Sequence, residues 1–366
     1  MEMFGFGGET TTLVEKKAWV EEKEANSSTI SCFVLLENSS NFSIEQKSYN
    51  LDLLGQPMFT WVCRACPSIP VTIEVENNAN PLEVIRPYLK DSEYTLVLYS
   101  DTPLITRASI DEILEYVKNK GLNVCKLTRG FVYKTDYIKR VSEVFAPQTY
   151  YFDEEDFITA VNFKQLSLVS DILKNRIIEY HMKNGVQFVT PDSVYIEANV
   201  AIGKNSVIMG NTKLLGKTQI GEYCNVCDCT IVSSKVYDRV KLNGATLEKS
   251  VVEPDCDITA GTVICDGSLI NKNTIIGRNN TIIKSSVGEN VNILDNNYIS
   301  NARIHDLCKI GACNSLIGDD AKIIRLLASA CLGNLNKVNA GVMIGECVKI
   351  GNNKDISFNV RQGDNI

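Results

Sequence analysis

The chain has 366 residues, 44% of them hydrophobic and 22% charged, with a formal net charge of −7. That length implies two or three domains with ample core. The acidity excludes nucleic acid as an expected partner, because phosphate binding needs a basic surface, and no apolar run reaches the ~18 residues of a membrane span.

Residues 1–30 read as an N-terminal extension. The segment is short of positive charge before any apolar run, so it is not a secretory signal, and its last part is rich in Glu, Lys and Ser. An α/β domain is predicted over residues 31–162. "STISCFVLLENSS" reads as a strand running into a polar loop, and "LDLLGQPMFTWVCRAC" as a turn followed by a helix. "YTLVLYSD" is a second strand, with Asp101 at its tip. "SIDEILEYVKNKG" is a helix with a capping box, in which Ser109 caps, Glu112 reciprocates and Gly121 ends the helix. "GLNVCKL" and "RGFVYKT" are further strands. Strands alternating with helices imply a mostly parallel sheet with ligands at the strand C-termini.

Residues 163–185 predict a connecting helix. Leu166, Val169, Leu173 and Ile177 form its apolar stripe, and Gly185 stops it. From residue 186 to 366 a repeat takes over. Aliphatic residues recur every six positions: Ile196, Ile202, Ile208, Leu214, Ile220, Val226 and Val232. After a slip of phase they resume at Val252 and run through Ile258, Ile264, Ile270, Ile276 and Ile282. Glycine often follows, as in Ile202-Gly203 and Ile276-Gly277. Period six fits neither an amphipathic helix nor an alternating strand, but it fits a hexapeptide β-helix with glycine or asparagine at tight corners. The pattern falters over residues 324–342, which predicts a loop or distorted coil there.

The 13 cysteines are scattered, which argues for a reducing cytosol rather than a disulfide framework. Cys63-x-x-Cys66 and Cys224-x-x-Cys227-x-Cys229 invite a metal reading. The first lacks a second ligand pair and the second lies in the repeat, so both are read as small buried hydrophobes.

The junction of the two halves carries Val161-Asn162, Gln165-Leu166, Arg176, Asn184-Gly185-Val186, Pro191 and Tyr195-Ile196-Glu197. It resembles the bacterial bifunctional UDP-N-acetylglucosamine pyrophosphorylase / glucosamine-1-phosphate N-acetyltransferase family. "LVLYSDTPLIT" is similar to that family's metal-binding "YGDxPLI", and "LLGQPMFTWV" to its "LxGKPMxxHV". The resemblance covers most of the chain from about Cys32. It implies a nucleotidyltransferase-like (GT-A/Rossmann-like) α/β domain followed by a left-handed parallel β-helix that stacks into a homotrimer. It also implies one Mg²⁺ held by Asp101 and Asn162, with Tyr99, Ser100 and Lys47 beside a bound nucleotide sugar. The residues alone allow a plainer reading, in which Asp101 anchors the Asp-Thr-Pro turn and Asn162 caps the connector.

Several motifs depart from the family. Where it has the phosphate-cradling "LAAGxGTRMxSxLPK", this chain has "LLENSSNFSIEQKS". Glycine is absent, Phe42 or a neighbour replaces Thr-Arg, Glu37 adds negative charge, and Lys47 lacks its Leu-Pro. The uracil-reading "QxxQxGTGH" is missing between Pro70 and Tyr94, and Ser100 replaces the glycine before the metal Asp. The stretch with the sugar-reading Glu and Asn is deleted, so "NKGLNVCKLTRGFVYKT" runs almost straight to the Gly130 strand. In the repeat, the family's catalytic His falls near Asn314, and Ala330-Cys331-Leu332-Gly333-Asn334 replaces "TCNYDG". The "RP" and "KK" contacts are gone, and the chain stops before the coils that complete the acetyl-CoA site. His305 is read as a surface or corner residue, and His181 as an interface or solvated one. The expectation is a shortened, degenerate relative with catalysis weakened or lost in both domains, binding a nucleotide sugar or regulating. An active diverged nucleotidyltransferase and a structural partner of the true enzyme stay open as alternatives. Acetyl transfer is expected to be absent.

Overall fold

The computed structural model describes residues 29–144, 147–149, 155–362 and 364; all but the last two residues of the 1–30 extension lie outside the described residues. The chain divides into two compact units, with the division inside one helix, between Arg176 and Ile177.

The first unit is a mixed sheet with helices on both faces. Its strands are β1 (Ile30–Glu37), β2 (Val71–Val75), β3 (Tyr94–Tyr99), β4 (Val124–Leu127), β5 (Gly130–Lys134) and β6 (Gln148–Thr149), in the order β2-β1-β3-β5-β4-β6. Among the described residues only the β3–β5 and β4–β5 pairings of this sheet are antiparallel, so β5 runs against its neighbours. The unbroken apolar runs of β1 and β3 are what a doubly covered strand requires. Phe33, Leu35 and Val97 pack on one face against Leu82 and Ile85 of α2 (Pro81–Ile85) and Ile138 of α4 (Thr135–Arg140). Cys32, Val34, Leu96 and Leu98 pack on the other. Their partners there are Val62 of α1 (Met58–Ala65) and Ile110, Ile113 and Val117 of α3 (Arg107–Lys120).

Helix α3 begins three residues earlier than its sequence suggests. Thr106, not Ser109, is the cap, and its Oγ1 accepts the Ser109 N–H at 3.1 Å. Ser109 sits in the first turn, where its buried hydroxyl donates to Asp156. A cap must have extended backbone, and the turn after β3 leaves Thr106 in that conformation. Gly121 ends the helix in left-handed conformation, as expected, with φ 61°.

Helix α5 (Phe163–Lys183) leads into the second unit. It closes with a Schellman motif: Gly185 N–H donates to Met182 O and Val186 N–H to His181 O, both at 3.0 Å. Gly185 supplies the positive φ this needs, at 86°.

The second unit is a parallel β-solenoid whose three faces, among the described residues, have 10, 10 and 9 strands. The inward residues are the aliphatics of the hexad series, each almost wholly buried. The slip of phase has a simple origin. Some corners are one residue shorter, so the series runs Val226, Ile231, Val236, Leu242, Leu247, Val252. Ile231 therefore points inward, and Val232, expected inside, points out. The expected break over residues 324–342 is also corrected. Those residues form regular strands, Ile324–Leu326, Cys331–Leu332 and Lys337–Val338. The extra residues lie just before them, between the strands Ser315–Ile317 and Ile324–Leu326. There Asp319 Oδ1 accepts the N–H of Ala321 and Lys322, closing a small loop.

Glycine after the aliphatic serves a different purpose from the one expected. Gly203 and Gly288 have no positive φ. They are glycine because a Cβ would lie 2.7 Å from Gly221 C or 2.6 Å from His305 C in the next coil. The left-handed corners fall elsewhere, and many carry ordinary side chains, among them Tyr223, Leu307 and Leu335. Leu335 has φ 59° and is 60% exposed, so its side chain recovers little of the strain. Replacing Leu335 with Asn should stabilise the solenoid by ~1 kcal/mol, because Asn tolerates this conformation. Urea unfolding that showed no gain would contradict the strain argument.

Inside one corner, Asn280, Asn297, Asn314 and Asn336 are stacked and buried. The Asn297 amide donates to Asn280 Oδ1 at 3.1 Å and the Asn314 amide to Asn297 Oδ1 at 3.0 Å. Each Oδ1 also accepts the backbone N–H of the next rung, up to Asn336 N–H on Asn314 at 2.8 Å. Cys224, Cys229, Cys256 and Cys308 fill comparable inward corner positions. Burial pushes the thiols of Cys229 and Cys308 up to about 11 and that of Cys256 to about 12, so they stay neutral apolar filler.

Candidate functional site

Strand register brings three charged residues together. Leu35 of β1 pairs with Tyr99 of β3, so Glu37 and Asp101 each lie two residues beyond a paired position, at the same level of adjacent strands. Gly130 of β5 pairs with both Leu98 and Leu127, which places Arg129 at the tip of the β4–β5 hairpin, beside the end of β3. Only glycine fits at 130. Its φ is 140°, and a Cβ there would lie 2.5 Å from Val97 O.

Arg129 holds both carboxylates. Its Nε donates to Asp101 Oδ1 and Oδ2 at 3.2 Å, its Nη2 stands 2.9 Å from Asp101 Oδ2, and the same Nη2 donates to Glu37 Oε2. The guanidinium lies 4.0 Å from the centre of the Tyr99 ring, a cation–π contact. The Asp101 side chain is 8% exposed and that of Glu37 16%. Burial pushes the Asp101 carboxyl above its ordinary range; Arg129 pulls it back, and Glu37 adds to the rise. Burial works against the Arg129 charge as well, but its two carboxylate partners outweigh this and raise it.

The loop after β1 turns its polar groups on itself. Ser39 N–H donates to Ser48 Oγ, Ser48 N–H to Asn38 Oδ1, both at 2.8 Å, and Asn78 N–H to Glu37 Oε1 at 3.1 Å. Ser39 Oγ donates to Val161 O at 2.8 Å. A phosphate cradle needs such backbone donors to be free. The cleft left between these parts measures about 280 Å³, and Glu37, Ser40, Asn41, Asn77, Asn78 and Arg129 are among its walls, with Asp101.

The expected site residues fare differently. Asp101 lines the cleft, and Tyr99 supports it from beneath Arg129. Ser100 is buried, and its N–H donates to Leu35 O at 2.9 Å. Asn162 caps α5, with Oδ1 accepting the Gln165 N–H at 3.0 Å and the amide donating to Gln165 Oε1 at 3.0 Å. Lys47 is exposed and is not among the residues lining the cleft. Glu37 and Arg129 are functional candidates that sequence reasoning left unassigned. Glu37 stood out only as an extra charge, and Arg129 only as a letter in "LTRGF". As arranged, Asp101 and Asn162 do not fit Mg²⁺. One carboxylate is clasped by a cation and the one amide oxygen caps a helix, whereas Mg²⁺ demands near-octahedral oxygens. Among the described residues no cluster of three or more His, Cys, Asp or Glu is placed to hold a metal.

In the solenoid, Asn314 is a rung of the inner ladder, and Asn334 Oδ1 accepts the Ala312 N–H at 2.7 Å. His305 is exposed just past the strand Ala302–Ile304, in keeping with a corner role. His181 is 1% exposed, which overturns the solvated alternative. Its place on the inner side of the last turn of α5 buries the ring, and burial lowers it to about 4. No helix among the described residues is long and apolar enough to cross a membrane.

An α/β nucleotidyltransferase-like unit joined by a long helix to a hexapeptide-repeat β-solenoid defines the class of protein. The chain is similar in sequence to the bifunctional GlmU proteins over part of its length. It is 30% identical to the bifunctional protein GlmU of Thermotoga petrophila over 244 residues, covering 65% of this chain and 53% of that one. It is 32% identical to that of Lactobacillus johnsonii over 155 residues, 42% of this chain and 33% of that one. It thus spans between about a third and about half the length of these relatives. No family model matches. Among solved structures, the Mycobacterium sp. strain JC1 homologue of Mycobacterium tuberculosis rv0371c aligns with a TM-score of 0.31 at 11% identity, over 42% of this chain and 98% of that one. The UDP-N-acetylglucosamine O-acyltransferase LpxA of Moraxella catarrhalis aligns with a TM-score of 0.19 at 12% identity, over 45% and 69%. Scores of this size leave the fold to rest on the strand order itself.

Proposed function

We propose that this chain is a sugar-nucleotide-related protein that binds or senses its ligand without uridylyl or acetyl transfer. The observation that carries the reading is the Glu37–Arg129–Asp101 cluster. Uridylyl transfer needs charge neutralisation at the α-phosphate, and the carboxylate that would anchor a metal there is tied to Arg129. The loop donors that would hold the triphosphate are bonded within the loop. In the solenoid, Asn314 stands near the position expected for the catalytic His and is bonded into the inner ladder, and its amide cannot serve as a base for an amine. A reducing, cytosolic setting fits the free thiols. The assembly we infer is a homotrimer, because flat solenoid faces that carry exposed Tyr298 and Ile317 favour covering by identical copies.

The test is turnover. Pyrophosphate release from UTP, N-acetylglucosamine-1-phosphate and Mg²⁺, and thiol release from acetyl-CoA and glucosamine-1-phosphate, are both expected at background. The persistence of Asp101 and Asn162 favours the second reading, a diverged active transferase. That reading would be upheld by pyrophosphate release that Asp101→Asn abolishes. Light scattering should return the mass of three chains.

A further inference from the structure

We propose that Arg129 is a tethered substitute for a divalent cation, and that the cleft it closes binds a single neutral or amino-bearing sugar ring without metal. The inference rests on the reading that no phosphoryl chemistry remains at Asp101. Charge comes first. Glu37 and Asp101 carry one negative charge each and Arg129 one positive, so the cleft has a net charge of −1. Arg129 is the sole cation among the described lining residues, and it is already paired. A polyphosphate would therefore meet repulsion without a free partner, and a dication would meet a guanidinium within about 3 Å of the same carboxylate.

Size points the same way. About 280 Å³ lies just below the ~300–1,000 Å³ typical of ligand pockets, a volume that suits one ring. Wall chemistry completes the case. The side chains of Asn41 and Asn77 are exposed, line the cleft, and make no hydrogen bond with other described residues. Each amide offers a donor beside an acceptor, the pairing that neighbouring sugar hydroxyls require, and the carboxylates can accept from hydroxyl or ammonium. The wall is also held in place. Ser39, Ser48 and Asn38 fix the loop through bonds made without ligand, which lowers the ordering cost of binding.

The test is calorimetry of N-acetylglucosamine and of glucosamine with the full chain, in Mg²⁺ and in EDTA. At least one sugar is expected to bind with the same Kd in both. The Asn41→Ala, Asn77→Ala double variant should weaken it about tenfold, since neither side chain bonds another described residue. Failure of both sugars to bind, binding that requires Mg²⁺, or a double variant with unchanged Kd overturns the proposal. Arg129→Met gives an independent readout. It frees both carboxylates, so its melting temperature should rise in Mg²⁺ while that of the wild type does not move. A folded variant indifferent to Mg²⁺, or a wild type stabilised by it, overturns the substitution argument. If that variant does not fold, Glu37→Gln keeps Arg129 on Asp101 and should leave the wild type's indifference to Mg²⁺ unchanged; a gain of Mg²⁺ stabilisation there counts against the proposal. Turnover in the wild type would instead sink the functional reading, whatever the sugars do.

Discussion

Arg129→Met should destabilise the first unit by ~2 kcal/mol at neutral pH. Removing one partner of a buried ion pair leaves an uncompensated charge, at a cost of roughly 3–5 kcal/mol when burial is complete. Here the guanidinium is 30% exposed, which calls for the smaller figure. The loss should depend on pH in a defined sense. Burial and Glu37 already raise the Asp101 carboxyl above its unfolded value, and without Arg129 that rise is unopposed. A carboxyl with a raised folded pKa is tolerated when protonated. The penalty of the variant should thus be small near the unfolded value and grow as pH rises through the folded one. Adding Glu37→Gln should recover part of it, because one of the two unpaired charges is then gone. Chemical denaturation of wild type, single and double variants across pH measures all three. A single variant within ~0.5 kcal/mol of wild type at neutral pH would mean that solvent satisfies these carboxylates and that the cluster is decoration.

The solenoid was legible because its signal is local. One inward aliphatic every five or six residues is set by the coil itself, and Ile202, Ile258 or Ile276 can be placed without knowing any distant partner. Errors arose where a one-residue corner change mattered, as with Ile231 against Val232. The α/β strands were legible for a similar reason, as dense runs of β-formers. The site was not. Glu37, Asp101 and Arg129 come from three strand ends and meet only through register, and register is a non-local property. Asp101 could be found because it belongs to a motif. Arg129 could not, because nothing in "LTRGF" says that its hairpin lies beside the end of β3. The one available hint was Gly130, which must be glycine for that hairpin to approach Val97. The motif marks Asp101 but not its partner: Asp-Thr-Pro is kept, and the carboxylate is held by Arg129 of a distant hairpin.

His181 gives the second large effect, in the solenoid unit. Its position in the last turn of α5 favours the charged form, because a helix C-terminus carries partial negative charge. Burial wins that contest and lowers the imidazole to about 4, with a backbone hydrogen bond at Val200 only partly opposing the fall. The folded state therefore holds a neutral ring where the unfolded chain, with a value near 6.5, takes up a proton. Stability from this residue is intact above pH ~6.5 and is lost progressively as pH falls toward 4, where about 3 kcal/mol has gone. Protonation should also strain the chain exit from the helix, because His181 O receives the Val186 N–H that completes the Schellman closure. The measurement is urea unfolding of wild type and His181→Leu between pH 7.5 and 4. Leucine keeps an apolar body in place and cannot titrate, so the wild type should lose stability faster on acidification, by about one proton's worth of slope over that window. Carboxylates elsewhere affect both proteins alike and cancel in the difference. Parallel stability curves would show that the buried ring carries no linked proton and that acid sensitivity in this unit lies with other groups.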